Sequence, residues 1–121
     1  MSDRATVPIY EMKAELFKAL AHPLRVRALE LLADGEQPVS ALLADMRIEA
    51  SHLSQHLAVL RRAGVVTNVR EGNTVTYSLA DPSVAEMLGA ARAFLLHRLD
   101  ATTGALAGLA VAERPAAESR A

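Results

Sequence analysis

Apolar residues recur along this chain with two different periods, and the change from one to the other organises it. Ile9, Met12, Leu16, Phe17 and Leu20 stand three or four apart, which places them on one stripe of a helix over about Ile9–Leu20. A second helix starts at Pro23, where the missing N–H costs no hydrogen bond and φ is already helical. Val26, Leu29, Leu32 and Ala33 keep its period, and Gly35 marks its stop. A third helix follows Ser40, a good N-cap residue, and carries Leu42, Leu43 and Met46. A fourth covers about Ala50–Ala63 and ends at Gly64.

The period then shortens to two. Val65–Arg70 and Thr74–Leu79 are rich in β-branched residues and alternate in polarity. Between them lies Glu71-Gly72-Asn73, a turn in which Gly and Asn are both able to take positive φ. This predicts a β-hairpin. Asp81-Pro82 then supplies an N-cap and a proline at the first helical position. The last helix has Val84, Leu88, Ala91, Leu95 and Leu99 on one side, with Met87 and Phe94 adjacent. It continues, or restarts after Gly104, through Leu106 and Leu109. Two short helices joined by a tight turn and followed by a hairpin define the fold class. It is mainly α with a small β-hairpin, a winged helix-turn-helix with four helices before the wing and one after it. The expected organisation is a flexible tail over residues 1–8, the domain over 9–111 and a second tail over 112–121.

The fourth helix carries the most informative surface. With Leu53 at the centre of its buried face, Leu57 and Leu60 fall beside it. Ser51, Gln55, Ala58 and Arg62 lie opposite, His52, Ser54 and Val59 lie on the flanks, and His56 turns toward the core. Gln pairs bidentately with adenine, and Ser donates to or accepts from several base edges. Residues near the N-terminus of such a helix reach bases, so Ser51, His52, Ser54 and Gln55 are the candidate readers. Arg61 and Arg62, at the far end, suit phosphate. Arg70 and Asn73, at the hairpin tip, suit the neighbouring backbone or minor groove. A plain solvated polar face accounts for the helix taken alone; the hairpin and the short helix around it favour double-stranded DNA as the partner.

Composition narrows the chemistry. The chain has 121 residues, room for one domain, and a net charge of −1 that does not itself announce a nucleic-acid binder. Between Arg47 and Leu79, however, four arginines and two histidines face only Glu49 and Glu71. There is no Cys, so a disulfide framework, a thiolate metal site and a thiol redox switch are all excluded from this sequence. The polar start, MSDRATVPIYEMK, lacks the apolar core of a signal peptide, and no stretch approaches the roughly 18 apolar residues of a membrane span. A cytoplasmic protein that does not engage a membrane is expected.

Three segments together carry a family resemblance. LAHPLRVRALELL (20–32) resembles the second-helix signature of the ArsR-type (arsenic-repressor-like) bacterial regulators. SHLSQHLAVLRRAGVV (51–66) resembles their recognition helix and the turn after it, and REGNTVTYSL (70–79) resembles their wing. The resemblance implies a homodimeric repressor that covers an imperfect palindrome, with half-sites roughly 34 Å apart. It implies a dimer interface made by the first and last helices. The apolar residues there are Met12, Leu16, Leu88, Ala91, Leu95 and Leu99. Two positions depart from the family's pattern. Glu49 stands where Ser or Thr often caps the recognition helix, and Ala58 stands where Lys or Arg often precedes the Val-Leu pair. Both substitutions weaken attraction for phosphate.

Many members of that family sense metals, through cysteines in the third helix or through Asp and His pairs on the last. Here the first stretch is approximately Val39-Ser40-Ala41-Leu42, without a thiol, and the last helix offers His97 and Asp100, with Glu86 and Asp81, which falls short of a zinc ligand set. His52 and His56 have the i, i+4 spacing of metal ligands but sit on the DNA-reading helix. His56 is expected to pack or to meet backbone, His52 to meet DNA, and His22 to start the second helix. No metal or cofactor is expected, and the inducer is not identifiable. No nucleophile, base and orienting carboxylate come together, so no enzyme is expected. The alternative reading is a winged-helix protein-interaction module without specific DNA binding, which Glu49, Ala58 and the neutral net charge favour.

Overall fold

The computed structural model describes residues 6–106. In chain order the elements are α1 (Ile9–Leu20), α2 (Pro23–Ala33), β1 (Gln37–Pro38), α3 (Val39–Met46), α4 (Ala50–Arg62), β2 (Val66–Glu71), β3 (Thr74–Leu79) and α5 (Pro82–Leu106). The expected tail over 112–121 and the end of the expected domain lie outside the described residues. The chain divides into one unit reaching to Ala85 and another from Glu86 onward.

In the first unit the helical stops follow the expected chemistry. Gly64 follows the C-cap Ala63 with φ 81°, a left-handed conformation that a Cβ disfavours. Gly72 takes the first central position of a two-residue hairpin loop with φ 63°, since Glu71 pairs with Thr74. Both Gly72 and Asn73 were eligible for positive φ, but only Gly72 adopts it, as in a turn whose first central residue alone is left-handed. α3 ends without glycine: its C-cap Arg47 sits at φ 55° and donates its N–H to the Leu43 carbonyl at 2.9 Å.

One helix start departs from expectation. α3 begins at Val39, not after Ser40, and its N-cap is Pro38, with no side-chain cap. The cause is β1, a two-residue strand that pairs antiparallel with β3, Gln37 opposite Tyr77 and Pro38 opposite Thr76. Pairing holds Pro38 extended, and the helix starts at the next residue. The sheet is therefore three-stranded, in the order β1-β3-β2. A proline at an edge strand loses no needed hydrogen bond. α5 passes Gly104 without a break, with Asp81 as its start: the Ser83 N–H donates to Asp81 Oδ2 at 2.9 Å, and the Ser83 hydroxyl donates to the same oxygen.

The core of the first unit forms where α2, α3 and α4 meet the sheet. Leu29, Leu42, Leu53, Leu57, Leu60 and Val66 are its largest fully buried side chains. On α2 the buried residues are Ala28, Leu29 and Leu32; Val26 is half-buried and the expected Ala33 is exposed. α2 touches α3, α4 and β3 together, so its buried face is set by three neighbours and not by its apolar period alone. α1 buries only Leu20 of its stripe, leaving Ile9, Met12 and Phe17 exposed.

The left-handed Arg47 generates a prediction. A non-glycine residue there costs roughly 1–2 kcal/mol, and glycine returns part of that as unfolded-state entropy. Arg47→Gly is expected to stabilise the protein by about 0.5–1 kcal/mol in urea unfolding; a destabilisation shows that the arginine side chain outweighs its backbone strain.

Candidate nucleic-acid interface

α4 is held face down by Leu53, Leu57 and Leu60, which are at most 2 % exposed. Its two flanks are tied by different neighbours. On one flank His56 lies 3.4 Å, Nδ1 to Nη1, from Arg25 of α2, and its ring stands 4.4 Å from that of His22, centroid to centroid. On the other, Arg61 Nη1 donates to the hydroxyl of Tyr77 at 3.0 Å, joining α4 to β3. Tyr77 is buried up to that hydroxyl, so the bond gives its only polar atom a partner.

What remains bare is the N-terminal half of the helix. Ser51, His52, Ser54 and Gln55 are all exposed there, and no side chain caps the helix at Glu49. The first-turn N–H groups of an uncapped helix stay open to an anion, while the Glu49 carboxylate opposes one.

The hairpin supplies the second part of the surface. Along β2 the residues Val66, Asn68 and Arg70 share one face by strand alternation, and their partners on β3 are Leu79, Tyr77 and Val75. Ser54 and Arg61 from α4 meet Asn68, Arg70 and Tyr77 around an open hollow of about 420 Å³. Arg70 and Asn73 also border a second hollow of about 490 Å³ beside Pro38, Ser40 and Leu43.

The sequence-predicted residues thus fall into three groups. Ser51, His52, Ser54 and Gln55 share the exposed start of α4, and Arg70 and Asn73 stand on the wing beside it. Arg61 is engaged with Tyr77 and is less free for phosphate than its place in the sequence implied. Arg62, its neighbour, turns away from the wing: it borders a hollow of about 820 Å³ next to Glu11, Met12, Glu15 and Leu16 of α1. Ala58 is half-buried, so that position is not an open site for a missing cation. Asn68 was missed by sequence reasoning, although its place two residues before Arg70 puts it on the same strand face. His56 meets two side chains and not backbone, and His22 caps α2, its Nδ1 accepting from the Leu24 N–H at 3.0 Å. Among the described residues no three His, Asp or Glu side chains are grouped to hold a metal ion, and no helix is long and apolar enough to cross a membrane.

A folded helix-turn-helix with a wing beside its second helix defines a class of DNA-binding protein, and comparison with known proteins agrees with that class. The pattern of bacterial regulatory proteins of the arsR family matches residues 22–68. Over 93 residues the chain is 53% identical to the uncharacterized HTH-type transcriptional regulator Rv0081 of Mycobacterium tuberculosis, covering 76% of this chain and 82% of that one. The crystal structure of Rv0081 superposes with a TM-score of 0.74, at 49% identity over 81% of this chain and 99% of that one. The transcriptional activator HlyU of Vibrio cholerae is 42% identical over 69% of this chain and 73% of its own length. A solution structure from Mycobacterium bovis, described as a homodimeric winged helix-turn-helix DNA-binding domain of a possible ArsR-family regulator, gives a TM-score of 0.68. Its identity is 30%, over 78% of this chain and 87% of that one. The chain belongs to the ArsR family of bacterial transcriptional regulators, a family of regulators and not of enzymes.

The Arg61–Tyr77 bond is testable without DNA. Tyr77→Phe keeps the buried ring and removes the acceptor, and is expected to cost about 1 kcal/mol in urea unfolding. The exposed arginine limits the loss, because water replaces part of the bond. No measurable loss shows that solvent serves Arg61 as well as Tyr77 does.

Proposed function

We propose that this protein is a sequence-specific DNA-binding repressor that acts as a homodimer on a palindromic operator in the cytoplasm. The observation that carries the reading is the bare N-terminal half of α4, where Ser51, His52, Ser54 and Gln55 stand exposed beside a wing bearing Arg70 and Asn73. Ser51 and Gln55 point most directly away from the buried leucines and read bases; His52 and Ser54 work from the two flanks. Arg70 and Asn73 meet the sugar–phosphate backbone, and Arg61 and Arg62 reinforce the positive potential at the helix end. Repression follows from occupancy of a promoter. HlyU is named an activator, so the sign of regulation in the family varies.

Dimerisation rests on apolar side chains that a single chain leaves in water. In the first unit Met12 is 55% exposed and Leu16 is half-buried; in the second Leu95 is 56% and Leu99 45% exposed, with Ala91 exposed and Leu88 half-buried. The M. bovis domain is described as homodimeric, and a second copy of this chain is the partner that buries these residues. Without Cys, no thiol of this sequence takes part in sensing, and neither an inducer nor a cofactor is assigned.

One observation favours a protein-interaction module in place of a DNA reader: Glu49, at the mouth of α4, sets a negative charge where phosphate arrives. Binding to the DNA upstream of the protein's own coding sequence decides between them. The repressor reading expects dissociation constants on the order of nanomolar that weaken steeply with salt. Equal affinity for a scrambled duplex overturns it. Gln55→Ala is expected to lose discrimination between operator and scrambled duplex, a loss of about 1–3 kcal/mol. Arg70→Ala is expected to weaken both duplexes alike and to lower the salt slope by about 1. Unchanged operator binding by Gln55→Ala overturns the assigned base contact.

The dimer is tested by Leu95→Glu, which places a charge in the proposed interface. Sedimentation is expected to show a monomer with weaker operator binding; a dimer of undiminished stability removes that residue from the interface.

A further inference from the structure

The flank of α4 away from the wing is held by a small cluster that the contact with DNA does not use. Arg25 Nε donates to the Ala19 carbonyl at 2.7 Å, at the end of α1, and Arg25 Nη1 lies 3.4 Å from His56 Nδ1. A guanidinium has donors and no acceptor, so the second contact is a hydrogen bond only while that Nδ1 carries no proton. The His22 ring stands 4.4 Å away at a tilt of 46°, with its own Nδ1 occupied by the Leu24 N–H. The charged and titratable groups facing His56 are His22 and Arg25 from the start of α2 and His52 from one turn earlier on α4; among the described residues no carboxylate acts on it. Burial first, then His22, Arg25 and His52, all hold the His56 pKa below its ordinary value.

We propose that His56 is a positioning residue for DNA binding: its neutral ring accepts from Arg25 and seats the recognition helix, and a proton on it unseats the helix and releases DNA. The proposal rests on the DNA-binding reading above. A protonated ring faces a guanidinium it no longer bonds, with another imidazole beside it. The cluster is half-exposed, so water screens the repulsion, and the helix shifts without the domain unfolding. A shift suffices, because a binding constellation must be held within about 0.5 Å of its working geometry.

The sign is fixed by the lowered pKa. The stabilisation carried by neutral His56 is complete above the ordinary histidine value, near pH 6.5, and is lost as pH falls through the lower value of the folded protein. If only the neutral form binds, apparent affinity falls with the neutral fraction, about tenfold for each pH unit below the His56 pKa.

The test is fluorescence anisotropy on a labelled duplex of the protein's own upstream DNA, at constant ionic strength, from about pH 8 to about pH 5.5, with circular dichroism confirming the fold at each pH. The wild type is expected to lose affinity toward acid. His56→Gln keeps an acceptor for Arg25 that cannot be protonated, and is expected to bind within a few-fold of wild type at the alkaline end and to stay flat. A His56→Gln profile that follows the wild type overturns the proposal. On the wild type itself, the imidazole resonances of His56 are expected to titrate at lower pH with the duplex bound than without it; an equal or higher pKa in the complex also overturns it. Absence of specific binding at the alkaline end overturns the DNA reading and this inference with it. Specific binding that persists undiminished to acid overturns this inference alone.

Discussion

Leu53, Leu57 and Leu60 fasten α4 to the rest of the first unit, and every functional statement about this protein depends on that attachment. Each side chain is removed from water almost completely, a gain of about 1.5–3 kcal/mol apiece. Burial of this kind is strong but has no direction, and by itself it leaves a helix free to rock about its own axis. The polar ties on the two flanks supply the direction. Arg25 and His56 hold one side to α2 and the end of α1, and Arg61 and Tyr77 hold the other to the sheet. Neither tie is worth much energy next to the leucines. Both decide where the exposed end of the helix points.

That exposed end is unfinished as a helix. Glu49 makes no capping bond, whereas α2 is capped by His22 and α5 by Asp81. An uncapped start costs roughly 1 kcal/mol relative to a Ser or Asp cap, and it occurs where polar side chains cluster in the open. The wing adds Asn68 and Arg70 on the strand face turned toward α4, leaving Val69 exposed on the other face. The surface is mixed in charge, with Arg70 and Glu49 as its opposing members, and so draws more on geometry than on a uniformly positive field.

The two units also share an unfinished character. α1 keeps Ile9, Tyr10, Met12 and Phe17 in water, and α5 keeps Phe94, Leu95, Leu96 and Leu99 there. Rows of exposed apolar side chains along a helix mark a face that another element can cover. The reading of a regulator assembled from two copies accounts for them without further assumptions. On the proposed function, the exposed start of α4 and the apolar faces serve one requirement, since a two-fold pair of chains fits a two-fold DNA site.

The sequence alone determined the order of the five helices and the hairpin, the helix stops at Gly35 and Gly64, the hairpin with Gly72 at its turn, the proline-led starts of α2 and α5, and the buried leucine row of α4. These are local matters: periodicity, capping and turn chemistry act over a few residues and are legible in a few residues. Ser51 and Gln55 were readable as outward positions for the same reason, because a wheel with a known buried side has a known opposite side. Tertiary structure decided the rest. β1 is two residues long and exists only because β3 passes beside it, and α3 starts directly after it at Val39, ahead of the expected cap at Ser40. Arg61 and Arg62 are neighbours in sequence and differ in surroundings, since a helix turns 100° between them; one bonds Tyr77 and the other borders an open hollow beside α1. Asn68 and the His22–Arg25–His56 cluster are made of residues from separate elements, and no local pattern brings them together. What the recognition helix displays was written along the chain. How it is held, and by which groups it can be moved, was settled by residues distant in sequence that folding set side by side.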